Sequence, residues 1–129
     1  MALLFYIEEG ARMKITLSLK KSSDFQRILK KGKWSSGDYL SIYVVSNSQE
    51  VNFLGVAVSK KGLNSVKRNR IKRLIREAYR HSEENLKKGY SIVILWKTRN
   101  KFEEATFQNI DKDMKKCLKK AGLLVEINE

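Results

Sequence analysis

Nine basic residues and a single acid, Glu77, lie between Lys60 and Arg80, and this run is the part of the sequence best suited to bind a charged partner. The whole chain has 129 residues and a net charge of +13. Arginine offers a planar fork that matches phosphate oxygens, and lysine acts as a point charge. The run therefore indicates a polyanionic partner, and nucleic acid is favoured over an acidic membrane surface because no anchor for a membrane is evident.

The order of residues within "SVKRNRIKRLIREAYR" predicts an amphipathic helix. One apolar stripe recurs at i, i+3, i+4 and i+7, formed by Ile71, Leu74, Ile75 and Ala78. Arg68, Lys72 and Arg76 form one row on such a helix, and Asn69 and Arg73 begin the next. Like charges in a row repel one another, and bound phosphates would relieve that cost. A DNA-reading helix remains an alternative, although the segment follows a predicted strand and not a helix-turn-helix partner.

Residues for protein-based hydrolysis are few. His81 and Cys117 are the only histidine and cysteine, without the spacing of a transition-metal site, and Cys117 is expected to be a core thiol. The adjacent pairs Glu83–Glu84 and Glu103–Glu104 point in different directions on a helix, which does not favour a two-metal cluster. No phosphate-binding glycine loop or serine-hydrolase motif occurs. The sequence therefore offers no support for catalysis by the protein itself.

Two helices flank the segments that must position the basic run. The first is predicted from Ser22, with Ser22 and Ser23 as candidate N-caps, Phe25, Ile28 and Leu29 on its apolar side, and Gly32 as its stop. For the last helix, Asn100 and Glu103 resemble a capping box at its start, and Gly122 lies near its end.

Three strands are predicted between these helices. The stretches "DYLSIYVV" and "VNFLGVAVS" are separated by "SNSQE", a length suited to a hairpin, and "YSIVILW" is typical of a buried strand. Alternation assigns one core face, formed by Leu40, Ile42, Val44, Leu54, Val56 and Val58. The other face mixes aromatic and small residues and is either a shallow groove or a second packing surface; its members are Tyr39, Ser41, Tyr43, Phe53, Gly55, Ala57 and Ser59.

The length fits one domain, which we assign to residues 13–129. Residues 1–12 join no periodic element and are interpreted as an N-terminal extension that is either non-native or disordered; their apolar run is too short for a signal peptide or a membrane span. A single cysteine fits a reducing compartment. We therefore expect a cytoplasmic protein.

The stretch "VSKKGLNSVKRNRIKRLIREAYR" resembles the signature of the bacterial ribonuclease P protein subunit family, an Arg-Asn-Arg element on a helix after a strand ending in Ser-Lys-Lys. The positions in step are Ser59, Lys60, Lys61, Val66, Arg68, Asn69, Arg70, Lys72, Arg73 and Arg76. The stretch "LKKSSDFQRILKKGKW" is similar to the family's first helix, and the resemblance covers about Leu19 to Gly122. The family usually has its glycine two residues after Ser-Lys-Lys, whereas Gly62 follows Lys61 directly. Leu29 replaces a second cleft aromatic of the family, for which Trp34, expected at the end of the first helix, is a candidate substitute.

Together, pattern and resemblance predict an α+β single domain of order α-β-β-α-β-α, with a small mostly antiparallel sheet and helices packed on one face. The resemblance further implies a left-handed crossover around the basic helix, which generic handedness rules would not predict.

In function, the resemblance implies a non-catalytic companion of a catalytic RNA that removes the 5′ leader of precursor tRNA. Hydrolysis is then carried by this RNA and by Mg²⁺, bound mainly by the RNA, and neither a small-molecule substrate nor a membrane is expected. The implied RNA contacts are Lys60, Lys61, Arg68, Asn69, Arg70, Lys72, Arg73 and Arg76. Phe25 and Tyr43 match aromatics of the leader-binding cleft, where rings would stack on unpaired bases. The alternative is a ribosomal or regulatory RNA-binding protein without a processing role.

Overall fold

A five-stranded β-sheet organises residues 16–125, the part of the chain that the computed structural model describes. Its strands are β1 (Thr16–Ser18), β2 (Lys33–Ser36), β3 (Leu40–Ser46), β4 (Asn52–Ala57) and β5 (Tyr90–Trp96). The helices are α1 (Ser22–Lys31), α2 (Ser65–Ser82) and α3 (Phe107–Lys120), with 3₁₀ turns at Glu83–Asn85 and Phe102–Glu104. The α+β class is confirmed. β1 and β2 were not predicted, because strands this short carry no readable alternation. The expected extension, residues 1–12, lies outside the described residues.

The strand order is β1-β4-β5-β3-β2, with β5 at the centre. β5 pairs antiparallel with β3 and parallel with β4, so the predicted hairpin between β3 and β4 is wrong. The sheet is mixed and not mostly antiparallel, since β1 also pairs in parallel with β4. The physical reason is burial: "YSIVILW" is apolar on both faces, and a central position satisfies both of its backbone edges and covers both of its faces.

The main core lies between one face of the sheet and the two long helices α2 and α3. All six residues of the predicted core face contribute to this core. Five of them are buried, and the sixth, Val58, is partly buried. β4, α2 and β5 form a strand–helix–strand unit, and the left-handed crossover implied by the resemblance stays a prediction. Among residues 16–125, no helix is long and apolar enough to cross a membrane.

Helix α1 packs against β3 and β5 on the opposite face of the sheet, so the helices are not all on one face as predicted. A Cβ atom added to Gly55 would lie 2.4 Å from Cζ of Phe25, which shows the ring of α1 resting directly on this strand. Ile28 is fully buried beneath the helix. Periodicity identified the apolar side of α1 but contained no information about which face of the sheet it would cover.

Two predicted helix starts are wrong in detail. α1 begins at Ser22 with Lys21 at the N-cap, so neither serine caps it. α3 begins at Phe107, where the Thr106 hydroxyl accepts a hydrogen bond from the Asn109 N–H at 3.2 Å. The capping box predicted for Asn100 and Glu103 is formed one residue later, by Lys101 and Glu104, and it starts a separate 3₁₀ turn instead of α3. In this turn the Glu104 carboxylate accepts a hydrogen bond from the Lys101 N–H at 2.8 Å.

A buried carboxylate joins α3 to the turn between β2 and β3. Asp113 is 3% exposed and accepts the backbone N–H groups of Asp38, Tyr39 and Leu40 at 2.8, 3.0 and 2.8 Å. The Lys97 ammonium donates to the Gly37 carbonyl in the same turn. These charge-assisted bonds fix the start of β3 against α3.

Candidate nucleic-acid interface

Helix α2 is anchored by its apolar side. Ile71, Ile75 and Ala78 of the predicted stripe are fully buried, and Leu74 packs against the core while partly exposed. Tyr79 extends the stripe, and its hydroxyl lies 2.9 Å from the Thr16 hydroxyl of β1. Burial raises the pKa of Tyr79, so the phenol is neutral at physiological pH. Tyr79 was not among the predicted stripe residues, although its spacing of four from Ile75 was a usable signal.

The N-terminus of α2 is built by a short loop that begins with the two predicted lysines. Lys60, Lys61, Gly62 and Leu63 form a turn in which the Leu63 N–H donates to the Lys60 carbonyl at 3.3 Å. Gly62 has a φ of +75°, a conformation that residues with a side chain rarely adopt. The early position of this glycine is therefore required by the turn, while Leu63 packs against the core. Asn64 then caps the helix by accepting the Lys67 N–H at 2.9 Å.

The predicted RNA contacts lie outside the core on several sides of α2. Six of them are exposed, and Arg68 and Lys72 are half-buried; the exposed ones are Lys60, Lys61, Asn69, Arg70, Arg73 and Arg76. Successive residues of a helix are about 100° apart. Arg68 and Lys72 consequently share the flank of Tyr79, which faces β1, whereas Arg70 lies on the flank that faces α3.

Arg68 differs from the other cations because part of its donor fork is already occupied. Its Nη1 donates a 2.7 Å hydrogen bond to the Leu63 carbonyl, and the guanidinium thereby braces the loop before α2. Arginine has five N–H donors, so several remain for a partner. Arg68 thus combines a local structural contact with a surface charge.

The positive charge of this surface is largely uncompensated. Among residues 16–125, no carboxylate forms an ion pair with the seven cations predicted as RNA contacts, and the one acid of α2, Glu77, pairs with Arg80 at 3.1 Å. Charges left unpaired on one surface keep a strong local potential. Such a surface suits a chain of phosphates.

The two predicted cleft aromatics lie along one cross-strand row, Phe25 above its first position and Tyr43 at its third. The row runs through Gly55, Val93, Tyr43 and Trp34, which are register partners on neighbouring strands. Phe25 covers the Gly55 end, and Gly32, at the end of α1, approaches the Tyr43 end, where an added Cβ would lie 3.3 Å from the Tyr43 Cβ. α1 therefore spans the row, and one wall of the cleft is this helix.

Trp34 belongs to the sheet and not to the end of the first helix as predicted. It lies in β2 opposite Tyr43 and is 59% exposed, so two aromatic rings stand side by side on the open face. Tyr39 does not lie on the open face as predicted. Its ring stacks on Trp96 with the ring centroids 6.0 Å apart and packs against the main core. Beyond α1, the half-buried Ser41, Ala57 and Leu95 leave a shallow surface that leads to the basic loop at Lys60.

Groups that could act in catalysis are not brought together. Among residues 16–125, no three His, Cys, Asp or Glu side chains form a cluster that could hold a metal ion. The His81 ring packs edge-on against Phe107 at 5.0 Å. Cys117 is fully buried, and burial raises the pKa of its thiol to about 11. What the described residues assemble is a binding surface.

Comparison with known proteins identifies the family of the chain. A sequence model of the Ribonuclease P family matches residues 13–122. The ribonuclease P protein component of Clostridioides difficile is 40% identical over 111 residues, which cover 85% of this chain and 96% of that protein. The one from Caldanaerobacter subterraneus is 39% identical over 115 residues, covering 89% and 97%.

Solved structures agree as well. The Staphylococcus aureus RNase P protein superposes with a TM-score of 0.73 at 31% identity, covering 83% of this chain and 96% of that one. For the Thermotoga maritima RNase P protein the TM-score is 0.72 at 27% identity, covering 80% and 96%. The alternative of a ribosomal or regulatory protein receives no support from these relatives. The chain belongs to the ribonuclease P protein family, as a protein component of this tRNA-processing ribonucleoprotein.

Proposed function

We propose that α2 and the loop before it bind the catalytic RNA of ribonuclease P. The observation that carries this proposal is the set of unpaired cations on a helix whose other side is locked into the core. Lys60, Lys61 and the cations of α2 neutralise phosphates, and binding is driven by release of the RNA's counterions. Asn69 adds a neutral group that both donates and accepts hydrogen bonds.

The cleft beside α1 holds the single-stranded 5′ leader of precursor tRNA. Phe25 and Tyr43 stack on unpaired bases, which requires rings that are accessible on one side and supported on the other. Both rings are half-buried, and Phe25 is supported by Gly55. Trp34 is a further stacking surface next to Tyr43. The leader-binding surface leads toward Lys60, so one RNA strand can contact both the cleft and the basic loop.

The chemistry is divided between RNA and protein. We assign no metal to residues 16–125, because these residues contain no cluster of metal-binding side chains. Mg²⁺ bound by the RNA would supply the metal-ion chemistry for phosphodiester hydrolysis. The protein's own contribution is electrostatic and positional, because it lowers phosphate repulsion and holds the leader. The setting is the cytoplasm, where a lone thiol such as Cys117 stays reduced.

Cleavage of precursor tRNA by the cognate catalytic RNA tests this function. At low Mg²⁺ concentration, addition of the protein should restore cleavage that the RNA alone performs poorly, because the protein's cations replace part of the screening by Mg²⁺. A protein that changes neither the rate nor the Mg²⁺ requirement would have no processing role.

Binding of precursor and mature tRNA to the assembled ribonucleoprotein tests the cleft separately. Tyr43→Ala should weaken binding of the precursor by about five- to a hundredfold, the range expected for one base–aromatic stack, and leave mature tRNA unaffected. Tyr43→Phe keeps the ring and is the matched control, which should bind the precursor nearly as well as the original chain. Equal losses for precursor and mature tRNA would place Tyr43 outside the leader path.

A further inference from the structure

A second basic surface lies at the far end of the helical layer, away from the predicted RNA contacts. Lys115, Lys116 and Lys119 of α3 surround a basin of about 440 Å³ that also touches the end of α2. The remaining lining residues are His81, Ser82, Asn85, Leu124 and Val125. We call this feature the lysine basin.

The charges of the lysine basin are only partly compensated. Lys115 pairs with Asp111 at 3.1 Å. Among residues 16–125, no carboxylate forms an ion pair with Lys116 or Lys119, both of which are exposed. The nearby Asp113 carboxylate is occupied by three backbone N–H groups. The basin therefore keeps a positive potential that favours an anion.

The hydroxyl of Ser82 is an independent sign of a missing ligand. Ser82 is 3% exposed and lines the basin, yet its Oγ has no hydrogen-bond partner within the described range, residues 16–125. Buried polar groups without a partner are uncommon, because burying them unpaired is costly. A hydroxyl donor beside ammonium groups matches the needs of a phosphate oxygen.

We infer that the lysine basin binds a backbone phosphate of the catalytic RNA, as a second contact separate from the cations of α2. This inference rests on the proposed function. Arg76, the predicted RNA contact nearest to the basin in the chain, precedes Ser82 by six residues, roughly 9 Å along the helix at 1.5 Å per residue. Arg76 is exposed whereas Ser82 is buried, so the two residues contact different phosphates. Lysines act as point charges, which suits backbone phosphates and not base edges.

The position in the fold selects the catalytic RNA over the substrate. α2 and α3 pack together on one face of the sheet, and the proposed leader cleft lies on the other face beside α1. An RNA bound along α2 can continue over the end of α3 without crossing the sheet. A leader held in the cleft would have to pass around the edge of the sheet to reach the basin.

The test is binding of the full-length protein to the catalytic RNA alone, measured over a series of salt concentrations. The double variant Lys116→Ala/Lys119→Ala should lower the slope of log affinity against log salt by about 0.7–0.9, which is the contribution of one lost phosphate contact. The control Lys20→Ala/Lys21→Ala removes the same charge next to α1, on the opposite face, and should keep the original slope.

Ser82→Ala separates a ligand contact from a structural role. It should weaken binding of the catalytic RNA roughly ten- to a hundredfold at constant salt slope, because a hydrogen bond from the hydroxyl to a charged phosphate oxygen is lost while no charge is removed from the protein. It should not lower the urea midpoint, because the change removes a buried hydroxyl that forms no hydrogen bond with the described part of the chain.

Two outcomes would overturn the inference, and a third would refute the proposed function on which it rests. One is an unchanged salt slope for Lys116→Ala/Lys119→Ala with unchanged affinity for Ser82→Ala, while the original protein still binds the RNA; this leaves the proposed function intact. Another is a loss that occurs only when precursor tRNA is present, which would assign the basin to the substrate. Failure of the original protein to bind the catalytic RNA would instead refute the proposed function.

Discussion

Replacing Gly55 with alanine tests how α1 is seated on the open face of the sheet. The new Cβ would lie 2.4 Å from Cζ and 2.8 Å from Cε1 of Phe25, and 3.1 Å from Cδ2 of Leu19. Carbon atoms in contact are usually about 3.5–4.0 Å apart, so the Phe25 ring must retreat by about 1 Å. Leu19 can adjust more easily, because its contact is the end of a flexible side chain.

The expected magnitude follows from two opposing effects. Overpacking of this kind usually lowers the free energy of unfolding by about 1–3 kcal/mol. Alanine is otherwise preferred over glycine inside a strand by roughly 0.5–1 kcal/mol, because glycine loses more backbone entropy on folding. Gly55→Ala should therefore destabilise the chain that carries Phe25, and it should be neutral or stabilising in a Phe25→Ala background.

Urea unfolding of the four proteins in this double-mutant cycle measures the coupling directly. We expect the effects of Gly55→Ala in the two backgrounds to differ by at least about 1 kcal/mol, within the range for residues in contact. The same cycle should appear in leader binding, where Gly55→Ala weakens the precursor complex only when Phe25 is present to be displaced. Identical effects of Gly55→Ala in both backgrounds would refute the packing of Phe25 on this glycine.

Three further predictions concern α2, the start of β3 and the buried thiol. Arg73→Ala should lower the salt slope of catalytic-RNA binding by about one ion and leave the urea midpoint unchanged. Arg68→Ala should lower both the salt slope and the urea midpoint, because Arg68 also donates a hydrogen bond to the Leu63 carbonyl. Equal urea midpoints for the two variants would contradict a bracing role of Arg68. Asp113→Asn should lower the free energy of unfolding by about 2–4 kcal/mol, because an amide cannot accept all three backbone N–H groups. A loss below about 0.5 kcal/mol would contradict the conclusion that Asp113 fixes the start of β3 against α3. The folded Cys117 thiol has a pKa of about 11 against 9.0 for an ordinary thiol, so between these values the unfolded chain releases a proton that the folded chain keeps, and stability falls as pH rises. Urea midpoints should therefore fall more between about pH 8 and pH 10 in the original chain than in Cys117→Ala, and parallel falls would show that the buried thiol does not carry this dependence.

Local periodicity predicts much of the binding surface. The apolar residues of α2 repeat with the period of a helix, so the buried side of the helix, and with it the outward side of Asn69 and Arg73, follows from the sequence. The alternation in β3 and β4 likewise identifies the core face, because successive side chains of a strand point to opposite sides. These predictions concern which side of an element is buried, and neighbours in sequence are sufficient to decide that.

Which strands pair with one another in the sheet could be determined only from the tertiary structure. A polar link of hairpin length joins β3 and β4, yet β5 lies between them. The pairing is decided by which strand gains most from burial on both faces, a comparison over the whole sheet that no local pattern contains. The same limit applies to β2, whose four residues place Trp34 beside Tyr43.

The cleft and the lysine basin show this division most clearly. The resemblance predicted Phe25 and Tyr43 as cleft aromatics. Only the fold shows that the Phe25 ring packs on Gly55 and that the end of α1 approaches Tyr43. The lysines of α3 could be counted in the sequence, whereas the Ser82 hydroxyl beside them, which has no partner among residues 16–125, results from the packing of helix ends. Helical period and charge are set by residues a few positions apart, but a site depends on contacts between residues far apart in the chain, and those are decided when the whole core forms.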